Sequence, residues 1–199
     1  MKGSLTILFF FCAGLALARL GLMPDYLLHH DLTLYALWLL MFLVGLSIGS
    51  DRRLQEILRS LRPRVLLLLP LATTVGSFAG AALASVFLIY SVSECMAVGA
   101  GFAYYSLSSI FISQYKGPEL GTIALISNIG RELGTLLLAP LLAKISPLAP
   151  IVCGGASTMD TTLPVITRYS GREWLFTSIV HGMVLDFTVP FWVIFFCTL

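Results

Sequence analysis

Seven times between residues 4 and 198 the chain runs on for about twenty mostly apolar residues, the length a helix needs to cross the hydrocarbon of a bilayer. The runs lie near 4–22, 32–50, 65–90, 95–115, 119–143, 148–168 and 174–198. Of the 199 residues 58% are hydrophobic and 11% charged, where soluble domains carry roughly 25% charged residues. A soluble core of this length would lack the polar surface to cover it. The sequence therefore predicts an all-α fold: a polytopic membrane helix bundle of about seven spans, forming a single transmembrane domain over 1–199. Only the stretch 51–64 interrupts the runs at any length, so whatever the chain does is done inside the bilayer.

That stretch carries Arg52, Arg53, Arg59, Arg62 and Arg64 against Asp51 and Glu56. Basic loops stay in the cytoplasm, and alternating outward from this one puts Lys2, Lys116, Arg168 and Arg172 there too. Of the 12 Lys and Arg, only Arg19 and Lys144 then fall outside, while Arg131 sits within a span. The pattern predicts the cytoplasmic (inner) membrane, with the N-terminus in and the C-terminus out. The basic loop reads as an orientation signal, and no nucleic-acid partner is expected. Lys2, the apolar run 5–15 and Ala16-Leu17-Ala18 imitate a secretory leader, but apolar character continues to Leu22, which favours an uncleaved first helix. Cys12, Cys95, Cys153 and Cys197 are widely spaced in apolar surroundings and read as small hydrophobes. His29 and His30, beside Asp25 and Asp31, read as solvated loop residues, so neither metal nor cofactor is expected.

Polar groups at membrane depth are expensive, a central Arg or Asp costing about 2.5–3.5 kcal/mol on insertion scales, so each needs a partner, a water-filled cavity or a function. Four places qualify. In run 119–143, Asn128 lies three residues from Arg131 and four from Glu132, sharing a face with both, and Thr135 extends it. Adjacent residues point about 100° apart, so Arg131 and Glu132 should meet different helices. A buried ion pair is the plain alternative to a solute or proton site. Second, the apolar pattern collapses over Cys153-Gly154-Gly155-Ala156-Ser157-Thr158-Met159-Asp160-Thr161-Thr162-Leu163-Pro164. This describes a broken helix, tolerated only inside protein or along a cavity. Asp160 is either functional there or the cap of the helix that follows. Third, Gly99-Ala100-Gly101-Phe102-Ala103-Tyr104-Tyr105-Ser106-Leu107-Ser108-Ser109 is either a close-packing helix face or a second broken segment. In the latter case Tyr104, Tyr105 and Ser106 would line the same cavity, and tyrosine rings attract ammonium groups. Fourth, His181 and Asp186 lie in the last run. His181 could relay a proton or bond a neighbouring helix; Asp186 ranks last.

These segments, in this order, resemble the bacterial and archaeal lysine exporter family LysO. The likeness is carried by Gly101-Phe102-Ala103-Tyr104-Tyr105-Ser106-Leu107-Ser108, Gly117-Pro118, Arg131-Glu132-Leu133, Gly155-Ala156-Ser157-Thr158-Met159-Asp160, Thr162-Leu163-Pro164-Val165 and Val180-His181-Gly182. It is specific over roughly 95–198 and looser over 33–90, where Phe42-Leu43-Val44-Gly45 and the basic loop are similar. The resemblance implies lysine efflux, with Glu132 and Asp160 as the intramembrane acids that couple it. Two departures accompany it. Longer members carry about three further N-terminal helices, which implies a small separate membrane subunit of about three helices, or a homodimer partner. Asn128 stands where some members have an acid, while Asp186 has no clear counterpart.

The expected function is thus secondary active export of L-lysine by proton antiport. Moving one positive charge outward against an inside-negative potential costs about 2.3 kcal/mol per 100 mV, and one-for-one proton exchange cancels that cost. Glu132 and Asp160 would alternate between proton and ammonium, with Asn128, Ser157 and Thr158 orienting the solute and Arg131 holding its carboxylate. Two other classes stay open: an intramembrane hydrolase pairing Ser157 or Ser106 with His181, and a non-transporting assembly subunit.

Overall fold

A computed structural model describes residues 63–199 continuously, together with Ala13, Ala16, Leu17, Arg19, Tyr35, Leu39, Phe42 and Leu46, each in helical conformation. The chain divides into two compact units, Met1–Ser47 and Ile48–Leu199, and every element named here belongs to the second. Apart from those single residues, the expected spans 4–22 and 32–50 lie outside the described residues. So do His29, His30, Cys12 and the arginines at 52, 53, 59 and 62.

All regular structure among the described residues is helical. Helix α1 spans Pro63–Ser85, α2 Val92–Gly99, α3 Tyr105–Lys116 and α4 Pro118–Ile145. Helix α5, Ala149–Gly154, runs into a 3-10 turn at Gly155–Met159; α6 covers Leu163–Ser170, and a short 3-10 turn at Arg172–Trp174 leads into α7, Leu175–Thr198. At 1.5 Å per residue, the 23, 28 and 24 residues of α1, α4 and α7 reach about 35, 42 and 36 Å. A hydrocarbon core is about 30 Å thick, and these three helices are long and apolar enough to cross it.

Local chemistry sets the boundaries. Helix α1 ends at Ser85, short of the expected 90, because a capping box starts the next helix early. The Ser91 hydroxyl accepts from the Glu94 amide at 3.3 Å, and the Glu94 carboxylate accepts from the Ser91 amide at 2.8 Å. Between α3 and α4 the chain turns on Gly117 alone, with Pro118 supplying the fixed φ of the first helical position.

Helix α7 is the central element: half of its apolar window is buried, against 17% for α1 and for α4. It packs on α1, α2, α3, α6 and the Gly155–Met159 turn. Phe78 of α1 ties three of these parts together, its ring 4.9 Å from Phe196, 5.2 Å from Trp192 and 5.8 Å from Phe102. At the other end of α1, Leu69 packs with Ile151 and Ile166, fastening α5 and α6.

Candidate functional site

The stretches expected at 95–115 and 148–168 each leave helical geometry near their middle, and the two irregular segments touch. Residues 100–104 separate α2 from α3, with Phe102 (φ 45°) and Ala103 (φ 72°) in the left-handed region. That conformation costs an L-residue about 1–2 kcal/mol, so surrounding contacts must hold it. Ala156 donates its amide hydrogen to the Phe102 carbonyl at 2.7 Å, and Asn128 Oδ1 accepts from the Ala103 amide at 2.8 Å. Asn128 Nδ2 donates to the carbonyls of Val98 (3.2 Å) and Ala124 (2.9 Å). Every buried backbone group needs a partner, and one carboxamide from α4 supplies three of them.

The second segment contributes Gly155 at φ 64°, where a Cβ would overlap the Phe102 carbonyl oxygen. Here only glycine combines the required φ with so close an approach. Hydroxyls satisfy the rest of this turn: Ser157 Oγ donates to the Gly154 carbonyl (2.9 Å), Thr158 Oγ1 to that of Gly155 (2.7 Å), and Thr162 Oγ1 to that of Ser157 (3.0 Å). Arg131 meets the end of α5, Nε donating to the Cys153 carbonyl (2.8 Å), one terminal nitrogen to the Val152 carbonyl (3.2 Å) and the other to Ser77 Oγ (2.7 Å). It thus acts as a cationic cap on the negative end of a helix, not as half of an ion pair with Glu132.

His181 is 1% exposed and held at both ring nitrogens, Nε2 2.8 Å from Thr73 Oγ1 and Nδ1 3.1 Å from Thr158 Oγ1. A neutral imidazole donates through one nitrogen and accepts through the other, so the ring bridges α1 to the turn. Neither Ser157 nor Ser106 bonds it; Ser157 Oγ lies instead 3.3 Å from Thr162 Oγ1. The serine–histidine pair that a hydrolase would need is not formed among the described residues.

Sequence-level candidates therefore separate into two sets. Asn128, Arg131, Ser157, Thr158 and His181 converge on the crossing and bond protein partners there, Arg131 through three of its five N–H groups. Asp160, Glu132, Tyr104, Tyr105 and Ser106 are differently placed. Asp160 follows the turn, exposed, its Oδ1 accepting from the Thr161 amide (2.5 Å) and hydroxyl (3.3 Å). Glu132 and Tyr104 are half-buried, and neither side chain bonds another among the described residues; Tyr105 and Ser106 open α3 and are exposed. A cavity of about 290 Å³ between α1, α2 and α4 has Arg131 and Asn128 in its wall with Ser77, Val98 and Gly99. Thr73 lies in an apolar run, and no local pattern of the sequence distinguishes it. Sequence reasoning ranked Asp186 last, although this residue is 3% exposed and its Oδ1 is buried with no partner. The available signal was its position four residues after Gly182.

The profile of the family described as lysine exporter LysO matches residues 8–197. The chain belongs to the LysO family. It is 32% identical over 163 residues to the lysine exporter LysO of Escherichia coli, covering 81% of this chain and 54% of that protein. The chain thus spans about half the length of that relative. It is also 32% identical over 164 residues to a Haemophilus influenzae protein named provisionally as a lysine exporter, covering 82% of this chain and 83% of the other. No solved structure matches. As a LysO-family member the chain is a multi-pass protein of the cytoplasmic membrane, which agrees with its three membrane-length helices.

Proposed function

We propose that this chain exports L-lysine, or a closely similar small cationic amino acid, across the cytoplasmic membrane by proton antiport. Two relatives carry the lysine exporter name. The observation that carries the reading is the meeting of two irregular segments at Phe102 and Ala156, beside the Asp160 carboxyl, which pairs with no cation among the described residues. Irregular backbone at membrane depth belongs where it lines a cavity, and interrupted helices are where secondary transporters bind solute and coupling ion. On this reading the stretches 92–116 and 149–170 are the interrupted spans of a seven-span bundle.

The roles follow from what each side chain has left to offer. Glu132 and Asp160, without cationic partners among the described residues, alternate between a proton and the solute's ammonium group. Arg131 uses three of its five N–H groups on Ser77, Val152 and Cys153, leaving two for a carboxylate in a bidentate pair. Asn128, Ser157, Thr158 and His181 hold the backbone that shapes the site, and Tyr104, Tyr105 and Ser106 line the approach to it. Exchange with one proton removes the electrical cost of about 2.3 kcal/mol per 100 mV.

The test is labelled-lysine accumulation in everted vesicles carrying a pH gradient, with this chain alone and with a small companion membrane subunit. Accumulation abolished by a protonophore is the expected result, and the two preparations separate self-sufficiency as a homodimer from dependence on a companion. Asp160→Asn should remove lysine-driven proton movement while leaving insertion intact. Full activity in that variant would sink the assignment of Asp160, and no accumulation in either preparation would remove lysine from the reading.

A further inference from the structure

Asp186 is a buried carboxyl of α7 that takes no part in the hydrogen bonds of the crossing. It lies four residues beyond Gly182 on α7, so the two share a face one turn apart. Contact fixes where that face looks: a Cβ at Gly182 would come within 2.7 Å of the Met159 nitrogen and 2.8 Å of the Ala156 oxygen. Asp186 therefore stands beside the end of the turn that carries Asp160. The two carboxyls and Tyr104 stand close enough to interact electrostatically, with no hydrogen bond among the three. Asp186 Oδ1 is wholly buried with no hydrogen-bond partner, a rare condition for a carboxyl in a native interior. Among the described residues no cation pairs with it: Arg131 directs its bonds to Ser77, Val152 and Cys153.

We propose that Asp186, with Asp160 and Tyr104, forms the pocket that takes the ammonium group of the solute. This rests on the export reading and adds to it a residue outside the motifs that carry the family resemblance. Two carboxylates offset the charge, their oxygens and the Tyr104 hydroxyl suit the three donors of a primary ammonium, and the tyrosine ring adds cation–π attraction. Such a pocket reads charge, so it should prefer lysine to norleucine, which has the same chain length and no terminal ammonium.

The full chain in proteoliposomes tests this, with KM and kcat for labelled lysine and competition by norleucine. Asp186→Asn, nearly isosteric, should raise the lysine KM about tenfold or more, the scale of one lost charge-assisted hydrogen bond, and erase the preference over norleucine. Asp186→Glu should restore the preference in part. A lysine KM and preference within about twofold of wild type would overturn the proposal while leaving export intact. Should Asp186→Asn fail to fold, Tyr104→Leu carries the same comparison, and an unchanged preference there overturns it. If the wild type moves no lysine, the export reading fails and the pocket is judged alone. Butylammonium chloride should then raise the melting temperature of wild type and not of Asp186→Asn, and equal shifts overturn the pocket.

Discussion

The two irregular segments that meet at the centre of this chain are built in opposite ways. Residues 100–104 borrow their stability. Phe102 and Ala103 take left-handed backbone angles with no glycine between them, and the groups thus freed are met from outside by Asn128 of α4 and Ala156 of the other segment. Residues 155–162 are largely self-sufficient, since Ser157, Thr158 and Thr162 bond carbonyls of their own turn or the residue before it. The borrowed segment depends on the assembled bundle; the self-sufficient one presents a preformed edge against which the first can close. Helix breaks in a membrane are tolerable only when every freed backbone group is met, and this chain meets that demand by both routes.

The difference can be broken at the one contact the segments share. Gly155→Ala places a Cβ on the Phe102 carbonyl and forces φ 64° on an alanine. The angle alone costs about 1–2 kcal/mol, and the overlap cannot relax without losing the bond from Ala156 to Phe102. A loss of about 4 kcal/mol or more is expected, seen as failure to recover folded protein in detergent, together with loss of export. Normal yield and export would show that the segments do not need this contact.

Asn128→Leu should come next. It strands the Ala103 amide, at about 1–3 kcal/mol when left unpaired in the interior, while the Val98 carbonyl keeps the Gly101 amide, so a loss of about 2 kcal/mol is expected. Thermal unfolding in detergent measures it, and protease cleavage should appear first near 100–104. Cleavage appearing first near 155–162 would reverse the assignment of which segment borrows. Smallest is Ser157→Ala. The Thr162 amide and hydroxyl still bond the carbonyl of residue 157, so the loss should stay below about 1 kcal/mol with export retained. A loss as large as that of Asn128→Leu would mean the second segment is not self-sufficient.

Legibility followed the same division. The second segment announces itself, because Gly154-Gly155, the run of hydroxyl residues, Asp160 and Pro164 are each unfavourable in a continuous apolar helix. The first was left open between close packing and a break, since Phe102 and Ala103 are ordinary helix residues whose angles are set by a carboxamide 25 residues away in sequence. Asn128 and Arg131 stood out as costly at membrane depth, but their partners, backbone carbonyls on α2 and α5, could not be read from spacing. Nor could spacing name Thr73, 108 residues distant, as a partner of the His181 ring.

Length, apolar runs and the placement of arginine by themselves determine that this is a helical protein of the membrane. Those properties follow from transfer free energies, which depend on composition along the chain and not on neighbours in space. Which polar groups are consumed in holding the helix breaks together, and which remain unmatched, was decided only by the tertiary structure. A hydrogen bond joins residues by distance and direction, and Asn128 and Asp186, equally anomalous as letters, differ only in what lies within 3 Å of them.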